Sequence, residues 1–119
     1  MPYIDGFLAP ILAGTTEDAY RDFAAKAAPI FKEHGATRVV EGWEDDVPDG
    51  KQTDFRRAVQ LGEGEKVVFS WIEWPDKATR DAGMKKVMED PRMQPDAMPV
   101  MPFDGPRMVF GGFRVLVDQ

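Results

Sequence analysis

The sequence predicts an α+β domain in which four strands and two helices follow one another as β-α-β-β-α-β. Three observations carry this reading. Residues 15–35 and 76–90 repeat apolar side chains at spacings of three and four between capping signals. Residues 3–14, 36–44, 66–74 and 107–117 are short runs rich in β-branched and aromatic side chains. Gly35, Pro75 and Pro91 mark where the helical windows end or begin.

The first strand, "YIDGFLAPILAG" (3–14), is too short for a buried helix. Its even positions Ile4, Gly6, Leu8 and Leu12 are small or aliphatic, and its odd positions Tyr3, Asp5 and Phe7 are aromatic or charged. Alternation puts the two sets on opposite faces. The first set suits packing under helices, and the second suits a wetter surface. In "TTEDAYRDFAAKAAPIFKEHG", Thr15 with Asp18 resembles a capping box, with Glu17 and Asp18 at the positive end of the dipole. Tyr20, Phe23, Ala24, Ala27, Ile30 and Phe31 form the apolar stripe, and Pro29 removes one backbone hydrogen bond near its end.

"ATRVVEGWE" (36–44) and "KVVFSWIEW" (66–74) supply the middle strands. Between them, Phe55, Ala58 and Val59 fit a helix, whereas Phe55, Val59 and Leu61 fit a strand; a short extended segment is the weak preference. The second helix starts on Asp76 as N-cap, turns Ala78, Ala82, Val87 and Met88 to the core, and stops before Pro91. Residues 91–106 hold five of the ten prolines and three of the seven methionines, a spacing that leaves only a long covering loop. "RMVFGGFRVLV" (107–117) is the last strand, with Gly111-Gly112 open to a bulge or a close approach.

This order is the ferredoxin-like split βαβ pattern: a four-stranded antiparallel sheet with both helices on one face. The other face then carries aromatics and branched residues that a monomer leaves wet. Pairing two such sheets face to face covers them, so a homodimer forming a closed or nearly closed barrel is expected.

At 119 residues the chain is expected to be one domain, 1–119, able to bury a sizeable core. A net charge of −6, with basic residues scattered apart from the pairs Arg56-Arg57 and Lys85-Lys86, argues against nucleic-acid binding. The absence of Cys removes disulfides, a thiol nucleophile and zinc fingers, and fits a reducing cytoplasm. The apolar N-terminus carries Asp5, has no basic flank and is broken by Pro10, so neither a signal peptide nor a membrane span is expected.

The acidic stretch "EGWEDDVPDGKQTDFRRAV" (41–59) invites a metal reading. With Gly50 as the sixth position of a calcium loop, the third is Val47 and the twelfth is Arg56, and the ligand pattern fails. Pro48, Asp49 and Gly50 read better as a turn. His34 stands alone at a helix end, where a cation complements the dipole; no metal and no cofactor are expected. The methionines Met84, Met88, Met93, Met98 and Met101 read as an adaptable lid or as packing under the loop.

The candidate ligand-binding residues are Asp5, Glu41, Trp43, Arg56, Trp71, Glu73 and Arg107. Val39, Glu41 and Trp43 share one strand face; Phe69, Trp71 and Glu73 share another. Together with Tyr3, Asp5 and Phe7 they compose an aromatic-walled cavity with a few polar groups, sited on the helix-free face beneath residues 91–106. A carboxylate held against rings has a raised pKa and suits a general base. Arg56 offers a planar fork for a ligand carboxylate, or else pairs with Glu41, Glu44 or Asp54. The blander alternative for the acids is pairing with Arg38, Arg107 or Arg114, the aromatics simply filling the barrel.

The blocks "GATRVVEGWEDDVPDGKQTDFRRAV", "VVFSWIEWPDKATRDAG" and "MPFDGPRMVFGGF" closely resemble the YbaA-like family, a bacterial family of unknown function, over nearly the whole chain. The resemblance implies a dimeric α/β-barrel fold, of the superfamily that also holds small cofactor-free monooxygenases, isomerases and haem-binding relatives. It implies no catalytic residues, and the fold alone does not choose a chemistry. Three functions follow as expectations: binding of a small metabolite in the barrel cavity, a cofactor-independent monooxygenase- or isomerase-like enzyme using a carboxylate base, or a purely structural dimer.

Overall fold

The computed structural model of the protein describes residues 1–98 and 101–119. The strands are β1 (Tyr3–Ile11), β2 (Arg38–Trp43), β3 (Lys66–Trp74) and β4 (Val109–Arg114). The helices are α1 (Glu17–Glu33), the single turn α2 (Phe55–Ala58) and α3 (Lys77–Glu89), with 3-10 turns at Pro91–Met93 and Gly105–Arg107. All strand pairs are antiparallel, in the order β2-β3-β1-β4, so β2 and β4 are the edges of an open sheet.

α1 begins one residue later than its capping signal suggests. Thr16, not Thr15, accepts the N–H of Ala19 at 3.1 Å. Tyr20, Ala27 and Ile30 are its buried residues. At the other end Gly35 adopts φ +115°, and the N–H groups of Gly35 and Ala36 bond back to the carbonyls of Lys32 and Phe31 at 3.2 and 3.1 Å. That pair of bonds is a Schellman closure, which needs a left-handed residue and so favours glycine. It turns the chain straight into β2.

The segment expected to be extended after the acidic turn is helical instead. Asp54 accepts the N–H of Arg57 at 2.7 Å, capping one turn that carries Val59 into a fully buried position. In α3, Asp76 caps as expected, accepting from Thr79 at 2.7 Å. The buried residues, however, are Gly83 and Val87; Ala78 and Ala82 are exposed, and Met88 is 66% exposed. The missing side chain at Gly83 is what lets α3 sit against the Trp74 ring, which rotates the inward stripe away from the alanines.

The faces of β1 are the reverse of those expected. Tyr3 pairs with Trp74 and Asp5 with Ile72, so Tyr3, Asp5, Ala9 and Ile11 share the helix-covered face with Val68, Ile72 and Trp74. Ile4, Gly6 and Leu8 lie opposite, level with Glu73, Trp71 and Phe69. Two apolar clusters fill the covered side: Tyr3, Ala36, Ile72 and Trp74, and Ala9, Ile11, Tyr20 and Val68. A lone charge on a strand looks solvated, but α3 brings Asp5 a partner on the covered face.

Pro102 and Phe103 of the segment expected to cover the other face also pack on the helix side. Leu12 donates to the carbonyl of Pro102 at 2.9 Å, and the Phe103 ring meets that of Phe23 in α1 edge-on at 5.8 Å. Met84 packs against the first apolar cluster. Pro99 and Val100 of that loop lie outside the described residues.

Candidate functional site

The seven candidate residues do not converge. Asp5 is 2% exposed and fully engaged: the Trp74 indole donates to it at 2.9 Å, and the Arg80 guanidinium reaches its oxygens at 2.8 to 3.1 Å. Trp71 and Glu73 occupy the helix-free face, where the indole donates to Glu73 at 2.8 Å and Arg38 lies 3.7 Å from the same carboxylate. Arg56 is a loop staple, donating to the Val47 carbonyl at 2.9 Å and lying 3.4 Å from Glu44. Arg107 grips both oxygens of Glu65 at 2.8 Å while its Nε donates to Asp104 at 2.7 Å. It ties the turn before β3 to the turn before β4. Arg56 thus pairs with Glu44, one of the partners expected for it, whereas Arg107 pairs with Glu65 and Asp104 and with none of the candidate acids.

Glu41 and Trp43 remain together, and the structure adds residues to them. The odd positions of β2 face α1, and between the two elements runs an open cleft of about 390 Å³. Its walls include Tyr20, Ala24, Ala25 and Ala28 from α1 and Val39, Glu41 and Trp43 from β2. The cleft exists because α1 presents three alanines where larger aliphatic side chains would close the gap against the edge strand. Glu17 and Arg21 stand at the same cleft, but Arg21 is already bridged to Glu17 at 2.8 Å and to Asp18 at 2.5 Å.

The Tyr20 hydroxyl donates to Glu41 Oε2 at 2.7 Å, and its ring lies 5.9 Å from that of Trp43. Loss of hydration pushes the Glu41 pKa up, with the Tyr20 hydrogen bond opposing part of that rise. Burial, then the neighbouring Glu41 charge, pushes the Tyr20 hydroxyl far above its ordinary range, so it stays a donor. Glu41 is exposed on the edge strand, which leaves its carboxylate reachable from the cleft.

Periodicity alone could not find this site. Tyr20 read as one more core position of an amphipathic helix, and its hydroxyl was invisible as a function. The available signal was "FAAKAAP", a run of small residues opposite an edge strand bearing Glu and Trp.

The helix-free face has a different character. Phe55, Phe69 and Trp71 form an edge-to-face row with centroids 6.1 and 5.8 Å apart. Val109 and Phe113 extend it onto β4, through their pairing with Leu8 and Ile4. Phe69 and Phe113 are 48% and 58% exposed. This is a broad apolar surface bordered by Arg38 and Glu73, with a cleft of about 160 Å³ where Phe55 and Phe69 meet Trp43 and Val47.

Among the described residues no three His, Cys, Asp or Glu side chains come together as metal ligands, and no helix is long and apolar enough to cross a membrane.

A family model described as "Protein of unknown function (DUF1428)" matches residues 2–105. The chain is also 57% identical, over 119 residues and the full length of both chains, to "Uncharacterized protein YbaA" of Escherichia coli strain K12. The same identity and coverage hold for the proteins of that name in Escherichia coli O157:H7 and Shigella flexneri. The resemblance carried by the three sequence blocks is thereby established at full length, and the chain belongs to the DUF1428 family of bacterial proteins of unknown function.

Proposed function

We propose that the protein is a cytoplasmic homodimer of ferredoxin-like domains, each binding a small metabolite in the cleft between α1 and β2. The strand order β2-β3-β1-β4, with α1 and α3 as the connections that skip a strand, is the interleaved arrangement of that fold and supports the first part. The aromatic helix-free face supports the dimer: a monomer rarely leaves so continuous an apolar surface in water, and a two-fold copy is self-complementary to it.

The observation that carries the ligand reading is the Glu41 carboxylate, hydrogen-bonded to Tyr20 at the wall of a mostly apolar cleft. Ligand sites combine apolar walls with a few placed polar groups in this way. The metabolite site thus moves from the barrel interior to the helix side, leaving the sheet face for assembly. Native mass spectrometry of freshly purified protein tests both halves. The expected result is twice 13.4 kDa plus a retained small molecule. Ala28→Leu should lose the small molecule and keep the dimer mass, and Trp71→Glu should do the opposite. A monomeric wild type, or a bound mass that survives Ala28→Leu, sinks the corresponding half.

A second reading is favoured by the raised Glu41 pKa: a carboxylate whose affinity for a proton is increased, open to a cleft, suits a general base in a cofactor-independent isomerase or monooxygenase. Tyr20 then orients the base. Under this reading Glu41→Gln abolishes turnover while leaving ligand retention intact.

A further inference from the structure

We infer that the α1–β2 cleft takes a small organic ammonium compound, a primary or quaternary amine with an apolar or aromatic body; this rests on the ligand-cleft reading above and names the class of ligand. The first argument is charge. Arg21, the cation at the cleft, is already shared by Glu17 and Asp18. Glu41 has no Lys, Arg or His within ion-pair distance among the described residues, and accepts only from the neutral Tyr20 hydroxyl. A carboxylate has room for about four donors. The cleft wall therefore carries a carboxylate that accepts from one protein donor and has no protein cation beside it among the described residues.

The second argument is the wall. Tyr20 and Trp43 present rings 5.9 Å apart and tilted by 44°, beside that carboxylate. A cation between ring faces and a partly dehydrated carboxylate gains from both. A carboxylate or phosphate compound would meet Glu41 with like charge, and a neutral alcohol would leave it uncompensated. The rest of the wall, Ala24, Ala28 and Val39, asks for an apolar body. The net charge of −6 draws cations toward the molecule as a whole.

Isothermal titration of the full chain with benzylamine, benzyl alcohol and benzoate tests the class. Above the carboxylate range, at about pH 8, benzylamine should bind at least about tenfold more tightly than either of the others. Its affinity should fall as the pH drops into the range where Glu41 takes up a proton, and Glu41→Gln should weaken it about tenfold while the protein still melts cooperatively. The wild-type pH profile keeps the test independent of whether that variant folds. Benzyl alcohol or benzoate binding as tightly as benzylamine, all lost in Ala28→Leu, would overturn the ammonium class and leave the cleft reading standing. Undiminished benzylamine affinity in Glu41→Gln would overturn it too. No binding by any of the three would overturn both.

Discussion

Arg80 of α3 holds the buried carboxylate of Asp5 in the middle of the sheet, with Nη2 2.8 Å from Oδ1 and Nε 3.1 Å from both oxygens. The Trp74 indole takes another site on the same carboxylate, and the guanidinium lies 5.2 Å over the Tyr3 ring. A charge on β1 is thereby made a core feature, and α3 is fixed in register over the sheet.

Removing one partner of this pair leaves the other buried without its counter-charge. Asp5→Ala should destabilise the fold by about 3–5 kcal/mol, and Asp5→Asn by less, because an amide oxygen still accepts from Trp74. The double change Asp5→Leu with Arg80→Met should recover much of the loss. Urea midpoints at neutral pH check the order. A neutral effect of Asp5→Ala would contradict the burial described above.

The helix-free face predicts that stability depends on protein concentration. A folded dimer gains from mass action, so the melting temperature should rise on going from low to high micromolar protein. Phe113→Asp places a carboxylate within the proposed interface; it should give a monomer by light scattering and remove the concentration dependence. A Phe113→Asp protein that stays dimeric would move the interface elsewhere.

Much of this architecture is readable in the amino-acid sequence. Four strands and two long helices follow from period and punctuation, and Asp76 announces its cap. What failed was the sense of each face. Strand alternation separates Tyr3, Asp5 and Phe7 from Ile4, Gly6 and Leu8, but it says nothing of which set is covered. Polarity misleads when a distant Arg80 satisfies the charge. Gathering Glu41 and Trp71 into one site failed for a related reason: register, which no single strand contains, sets them on opposite faces. At Phe55–Ala58 a helix of four residues is too short for period to decide between the helical and the extended spacing.

The ion pair of Arg107 with Glu65 predicts a particular loss of stability in acid. The Arg107 hydrogen bonds hold Glu65 down to a pKa of about 2, against ~4.3 for a free glutamate. The folded value is depressed, so the stabilisation is complete above the unfolded value and drains as pH falls from ~4.3 toward the folded one. Arg107→Ala should therefore flatten the pH dependence of the urea midpoint in that window, and matter less below it. Equal slopes for wild type and variant would show that the pair carries no linkage.

Glycine in a helix interior normally invites replacement by alanine, with a gain of about 1 kcal/mol in helix propensity. Gly83 should behave oppositely. A Cβ there would stand 2.4 Å from the carbonyl oxygen of His34 and 2.5 Å from the Trp74 ring. The carbonyl belongs to the end of α1 and the ring is fully buried, so neither yields cheaply. The helix must move off the sheet, and that movement pulls on the Arg80 contact one turn earlier. Overpacking of this kind costs ~1–3 kcal/mol, enough to outweigh the propensity gain and make Gly83→Ala destabilising. Gly105, at the start of the 3-10 turn before β4, has nothing within 4 Å of the same added atom. Gly105→Ala should stay within about 0.5 kcal/mol of wild type. Parallel urea titrations of the two variants decide the matter: a Gly83→Ala protein as stable as Gly105→Ala would mean that α3 does not sit as close to Trp74 as described.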